Sequence, residues 1–309
     1  MQIKALSGER IRAPRFLLTA DELHLVQERV PTLLLPPRFA QQWTDDLGAD
    51  EKADRVDAAL TGLIEKHLVA ADVPRDPIPD DLSDWLLDSF MRFLSLHSVP
   101  AYVLDVSAWT RDSTVMLVAS ARDGFASILA RAQNVSIDDG RATAADLSGL
   151  EFAVVPFPDL AHELAGTIPL GGVPGDNGPL VSMSLTDSRG GIEVLRSHDP
   201  RLFDELSRRI GGPDAIHALS GLIGSFDAGF ELRVSGADGT PARMLNYVRG
   251  EAGWRSVDIR LPAGENGVPT TEQVVDSGTI RIAAVTRAAI QAEVASLCAA
   301  ITVREMTHE

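Results

Sequence analysis

The chain has 309 residues, 45% of them hydrophobic and 23% charged, which is the composition of a folded globular protein with length enough for one large core or two smaller ones. Its formal charge of −16 removes the long-range attraction that draws basic proteins to phosphate backbones and anionic membranes, so neither nucleic-acid binding nor membrane insertion is expected. Uninterrupted apolar runs such as residues 115–119 are far shorter than the roughly 18 residues of a spanning helix. The first residues carry Lys4, Glu9, Arg10, Arg12 and Arg15, leaving no continuous apolar segment for a signal peptide, and a cytoplasmic protein is expected.

In chain order, an opening strand is predicted near residues 16–18. Thr19-Ala20-Asp21-Glu22 then has the form of a capping box at a helix start. Val56, Leu60, Leu63, Ile64 and Leu68 recur at helical spacing and predict a helix over residues 51–69, with His67 on the same stripe as a core or boundary residue. The run from Asp72 to Asp88 is acidic and reads as a solvated linker and helix start. Leu82, Trp85, Leu86, Phe90, Phe93 and Leu94 predict one further buried helix face.

Strands over residues 101–107, 114–120 and 125–131, joined by short polar turns, predict an antiparallel meander. The second half repeats this order. Leu202, Phe203, Leu206 and Ile210 form one helical stripe, Ile216, Leu219, Leu222 and Ile223 another, and strands follow over residues 229–235, 242–248 and 254–261. Glycine and proline mark mobile loops over residues 166–178 and 263–271. Ile290, Val294, Leu297, Cys298 and Ile301 define a closing helix, which makes Cys298, the single cysteine, a buried core residue. The prediction is an α+β fold of two similar halves, residues 1–150 and 151–309, each a helical part plus an antiparallel meander, forming one compact unit.

Motifs for chemistry are missing. His162-Glu163 lacks the second histidine of a zinc-protease helix, since Gly166 stands there. The glycine-rich run 171–178 lacks the lysine of a phosphate loop. Asp45-Asp46, Asp80-Asp81 and Asp138-Asp139 lack the alternating ligands of a calcium loop, and Gly224-Ser225 lacks the glycine spacing of a nucleophile elbow. Asn134-Val135-Ser136 matches a glycosylation acceptor only by accident in a chain without an export signal. No catalytic, cofactor or metal residue is assigned. A hydrolase or transferase with a dispersed site, drawing on His97, His162 or His217, is the alternative class, and an acidic self-assembling subunit is a third.

Several segments carry a family resemblance. Phe16-Leu17-Leu18-Thr19-Ala20-Asp21-Glu22-Leu23 resembles the first strand and helix of the EspG chaperones of type VII (ESX) secretion systems. Met91-Arg92-Phe93-Leu94-Ser95-Leu96 running into Ala101-Tyr102-Val103-Leu104-Asp105-Val106 resembles their mid-chain helix-to-strand passage. Ala242-Arg243-Met244-Leu245-Asn246-Tyr247-Val248-Arg249 with Gly253-Trp254-Arg255-Ser256-Val257 resembles their late hairpin. The resemblance implies internal pseudo-twofold symmetry, no cofactor, and binding of a PE-PPE heterodimer or a related helical secretion substrate, whose apolar tip is shielded in the cytosol. It further implies partner contacts at Arg122 and Asp123, on a turn of the first meander, and at Arg208 and Arg209, on a helix of the second half. A homodimer of the free chain stays open.

Overall fold

A computed structural model describes residues 15–39, 48–138, 141–172, 177–197, 199–223, 226–239, 241–262 and 270–307. Its first half runs β1 (Arg15–Leu18), α1 (Ala20–Arg29), α2 (Ala49–Glu65), α3 (Asp88–Ser98), β2 (Tyr102–Thr110), β3 (Ser113–Arg122), β4 (Phe125–Asp138), β5 (Arg141–Pro156) and α4 (Phe157–Gly166). The second half runs β6 (Val181–Ser184), α5 (Leu185–Ser197), α6 (Pro200–Ile210), α7 (Pro213–Ser220), β7 (Ala228–Gly236), β8 (Pro241–Gly250), β9 (Gly253–Arg260), α8 (Thr271–Ser277), β10 (Thr279–Val285) and α9 (Arg287–Thr307). Apart from α8 the second list repeats the first, element for element. Leu150 lies within β5, and the repeat begins again at β6.

The ten strands among the described residues form one antiparallel sheet in the order β1-β5-β4-β3-β2-β7-β8-β9-β10-β6. The halves meet at β2 and β7, paired from Tyr102 opposite Gly236 to Thr110 opposite Ala228, with Val106 opposite Leu232 at the middle. Alternation decides the layers, because successive strand residues point to opposite faces. Leu104, Val106 and Ala108 of β2, and Phe230, Leu232 and Val234 of β7, join one cluster with Leu160 and Leu164 of α4 and Ile290, Val294, Cys298 and Ile301 of α9. The other face is covered at its two ends. Helices α1 to α3 pack there on the first half around Phe90, Phe93 and Phe152, and α5 to α7 pack on β6 and β10 around Leu219 and Ile282.

Local chemistry explains several joints. Thr19 Oγ1 accepts from the Glu22 amide at 3.2 Å and a Glu22 carboxylate oxygen accepts from the Thr19 amide at 2.7 Å, closing the expected capping box. The buried Glu22 also pairs with Lys66, and a Cβ on Gly62 would displace the Glu22 carboxylate where α2 crosses it. In the second half Arg249 is buried. It donates to both oxygens of Asp227 at 2.8 and 3.2 Å and to the carbonyls of Leu170 and Gly171, while its guanidinium lies 5.4 Å from the Trp254 ring. The described ends of the expected mobile loop over 166–178 are therefore held, and Gly178 and Asn177 are tied to Ala284 and Thr286 as well.

Three expectations are corrected. The helix expected over residues 51–69 ends at Glu65, and His67 is exposed in a left-handed turn at φ 55, off the buried stripe. The stripe from Leu82 to Leu94 is not one helix. A short 3-10 turn (Ser83–Trp85) and α3 are separated where Leu87 N–H donates to Leu68 and Ala70 N–H donates to Trp85, because the backbone there bridges to the end of α2. On α6 only Leu206 and Ile210 are buried; Leu202 and Phe203 are 47% and 40% exposed.

At the end of the central pairing, Trp109 stands opposite Gly229, and a Cβ on Gly229 would lie 2.4 Å from the indole. Gly229→Val should push the ring off the sheet and cost about 2 kcal/mol as overpacking. Chemical denaturation checks this, and an unchanged midpoint would show that the indole moves freely.

Candidate docking surfaces

The first surface is the β3–β4 hairpin tip. Its two-residue turn, Asp123 at φ 52 and Gly124 at φ 75, has the left-handed pair that suits the twist of adjoining strands. Arg122 donates to the Val99 carbonyl at 3.0 Å and lies 3.3 Å from Asp123, whose side chain is exposed. Around them Met91, Val99 and Phe125 are exposed apolar residues, and the Arg92 guanidinium sits 6.0 Å from the Phe125 ring. Sequence reading placed the charged pair at an exposed turn but did not single out these apolar neighbours.

Helix α6 carries the second surface. Asp199 caps it by accepting from the Arg201 amide at 2.9 Å, Pro200 opens it, and Gly211 at φ 108 ends it. Arg208 pairs with Glu205 at 2.7 Å and Arg209 with Asp187 of α5 at 2.7 Å. Both arginines are exposed, and each ion pair is of the surface kind that contributes little to folding. Leu202 and Phe203 add apolar area to the same helix. Arg122 with Asp123 and Arg208 with Arg209 share no hydrogen-bond partner; they are two surfaces, one in each half.

Between the two lateral helix groups, the face of β2 and β7 opposite α4 and α9 is polar. Asp105 stands opposite Arg233 and Ser107 opposite Glu231; Arg233 pairs with Glu231 at 3.2 Å, and Arg38 reaches Asp105 at 2.7 Å. This strip was legible in the alternation of Glu231 and Arg233 with Leu232, but not its position between two helical groups.

Among the described residues no hydrogen bond joins His97, His162 or His217 to one another or to a carboxylate. His162 and His217 are exposed. His97 stacks on Phe93 with centroids 5.4 Å apart, donates from Nε2 to the Leu34 carbonyl at 3.1 Å, and accepts at Nδ1 from Ser120 Oγ at 3.4 Å. Ser120 is buried in the sheet, and its contact with the half-buried His97 joins α3 to β3. Gly224-Ser225, Asp45-Asp46, Asp139 and residues 263–269 lie outside the described residues. Among the described residues no group of three His, Cys, Asp or Glu side chains could hold a metal ion, and no helix is long and apolar enough to cross a membrane.

The fold is similar to that of one solved chaperone. The structure of the Mycobacterium tuberculosis type VII secretion system chaperone EspG5 in complex with the PE25-PPE41 dimer aligns with 91% of this chain and 94% of its own, with a TM-score of 0.53 at 10% sequence identity. No protein-family model and no curated protein matches the sequence.

Burial holds His97 below the ordinary histidine value of 6.5, against a smaller opposing effect of the Leu34 carbonyl. A lowered folded value means the unfolded chain takes up the proton first, so stability should fall as pH drops below about 6.5 and level off once the folded histidine is charged. Melting temperatures between pH 7 and pH 5 should decline more steeply for the wild type than for His97→Gln. Parallel curves would show that His97 protonates without hindrance.

Proposed function

We propose that this chain is a cytosolic chaperone adaptor, without catalytic activity, that binds a PE-PPE heterodimer or a related helical substrate, keeps it soluble and directs it to a type VII (ESX) secretion system. The observation that carries this reading is the fold itself. A chaperone solved with a PE-PPE dimer aligns with 91% of the chain. The two halves, residues 1–150 and 151–309, work in this reading as one unit, because their central strands are hydrogen-bonded to each other.

Surface chemistry supports it. A helical substrate with an apolar tip needs a receptor that offers apolar contact beside groups that orient it. The β3–β4 tip offers Phe125 and Val99 beside Arg122 and Asp123, and α6 carries exposed Leu202 and Phe203 as well as Arg208 and Arg209. Arginine is enriched among the contacts that dominate interfaces once water is excluded.

Co-expression with the PE-PPE pairs of its own secretion locus should yield one soluble complex on size exclusion. Insolubility of every pair in its presence removes the reading. Within such a complex, Arg122→Glu with Asp123→Arg, or Arg208→Glu with Arg209→Glu, should weaken binding at least about tenfold while folding stability shifts by only about 0.5 kcal/mol. Titration calorimetry paired with thermal melts separates the two effects. Full affinity in both double variants moves the interface elsewhere, and loss of folding contradicts the exposure of these side chains.

A further inference from the structure

Besides the extra helix α8, the two halves differ in strand pairing at one junction. In the first half β3 and β4 stay paired from Arg122 opposite Phe125 to Ser113 opposite Asn134. Their counterparts β8 and β9 are paired only from Gly250 opposite Gly253 to Tyr247 opposite Ser256. Beyond that point β8 remains on β7 as far as Pro241, and β9 remains on β10 as far as Arg260. Among the described residues each strand keeps one partner there and turns its other backbone edge towards an opening of about 480 Å³ lined by residues of both strands, by Arg281 of β10 and by Glu293 of α9.

An unpaired strand edge is a row of donors and acceptors that water or another strand must satisfy. Inserting one strand between two others requires them to stand about 9.5 Å apart, twice the ordinary spacing. Were the short ladder to continue in register, Met244 would face Ile259; instead both are about half exposed. The rim is cationic in a chain of formal charge −16. Arg243 pairs with Glu293 at 2.9 Å, whereas Arg260 and Arg281 share the single carboxylate of Asp258 at 3.1 and 3.7 Å. Three guanidinium groups against two carboxylates leave donor capacity for an incoming acid. The floor is fixed, since Tyr247 donates to Glu293 at 2.6 Å and so ties β8 to α9.

We propose that this opening receives an extended, acidic segment of a partner polypeptide, about five residues long, which adds a strand between β8 and β9. Main-chain hydrogen bonds to both edges hold it, Met244 and Ile259 meet its apolar side chains, and Arg260 with Arg281 meets its carboxylate. The occupant is extended and lies away from the β3–β4 tip and α6, so this site and the chaperone reading stand or fall separately.

The test uses the full chain and a fluorescein-labelled, capped hexapeptide, Glu-Val-Thr-Val-Asp-Val. Its anisotropy should rise saturably. The same peptide with lysine in both acidic positions, or with alternate amides N-methylated, should bind at least about tenfold more weakly, and so should the original peptide to Arg260→Glu. A second measurement addresses the opening itself. Met244→Cys with Ile259→Cys should resist disulfide formation, which needs Cα atoms within about 7 Å; Cys298 does not compete, being buried with its thiol pushed up to about 11. The proposal is overturned by the absence of saturable binding, by equal binding of the N-methylated peptide, or by ready closure of the cysteine pair in the free protein. A concentration-dependent dimer abolished by Arg260→Glu would also overturn it, by assigning the opening to a second copy of the chain.

Discussion

Everything in this molecule depends on the antiparallel pairing of β2 with β7. Without it each half would end in a bare central strand, and the apolar face shared by both would be cut down its middle. With it, Leu104, Val106 and Ala108 line up beside Val234, Leu232 and Phe230 in one continuous surface. Helices α4 and α9 cover that surface from opposite halves and pack on each other through Leu160, Leu164, Ile290 and Val294. The central cluster therefore belongs to neither half alone, and the two repeated sets of elements share it.

The same pairing creates the polar strip on the opposite face. Because β2 and β7 are central, their second face would ordinarily be buried under helices. The repeat places α1 to α3 and α5 to α7 towards the two ends of the sheet, and the middle is left to Asp105, Ser107, Glu231 and Arg233. Period-two alternation of charge with leucine and phenylalanine in β7 is the sequence record of that one-sided burial.

Long elements with a single clean period were legible in the sequence. α9, α2, β7 and the Thr19 capping box follow from spacing alone, because one apolar face meets one core. β5, β6 and β10 were not anticipated. β5 opens on Arg141-Ala142-Thr143-Ala144-Ala145, which holds no large apolar residue, and it is a strand because β4 pairs with it along nearly its whole length. β6 has four residues, and β10 mixes Arg281 into an otherwise apolar run. The break between Trp85 and α3 escaped periodicity for the opposite reason: the stripe is continuous in sequence while its backbone bonds go to Leu68 and Ala70. At the docking surfaces Arg122 and Asp123 were visible because Asp-Gly signals a tight hairpin, whereas the exposure of Phe125, Leu202 and Phe203 depends on which helices fail to cover them.

Internal repetition gives a way to separate scaffold from specialisation. Positions where the halves agree, such as the strand order and the paired central strands, satisfy the common requirement of burying one sheet. Positions where they differ must answer to something else, since the same chain already shows a simpler solution. The long ladder between β3 and β4 demonstrates that this architecture can zip the corresponding junction fully, yet β8 and β9 part after four residue pairs. An open edge of this kind invites uncontrolled strand addition unless charge guards it. Arg243, Asp258, Arg260 and Arg281 are placed at that edge, and the charges that discourage an apolar or basic strand are the ones that would select an acidic one.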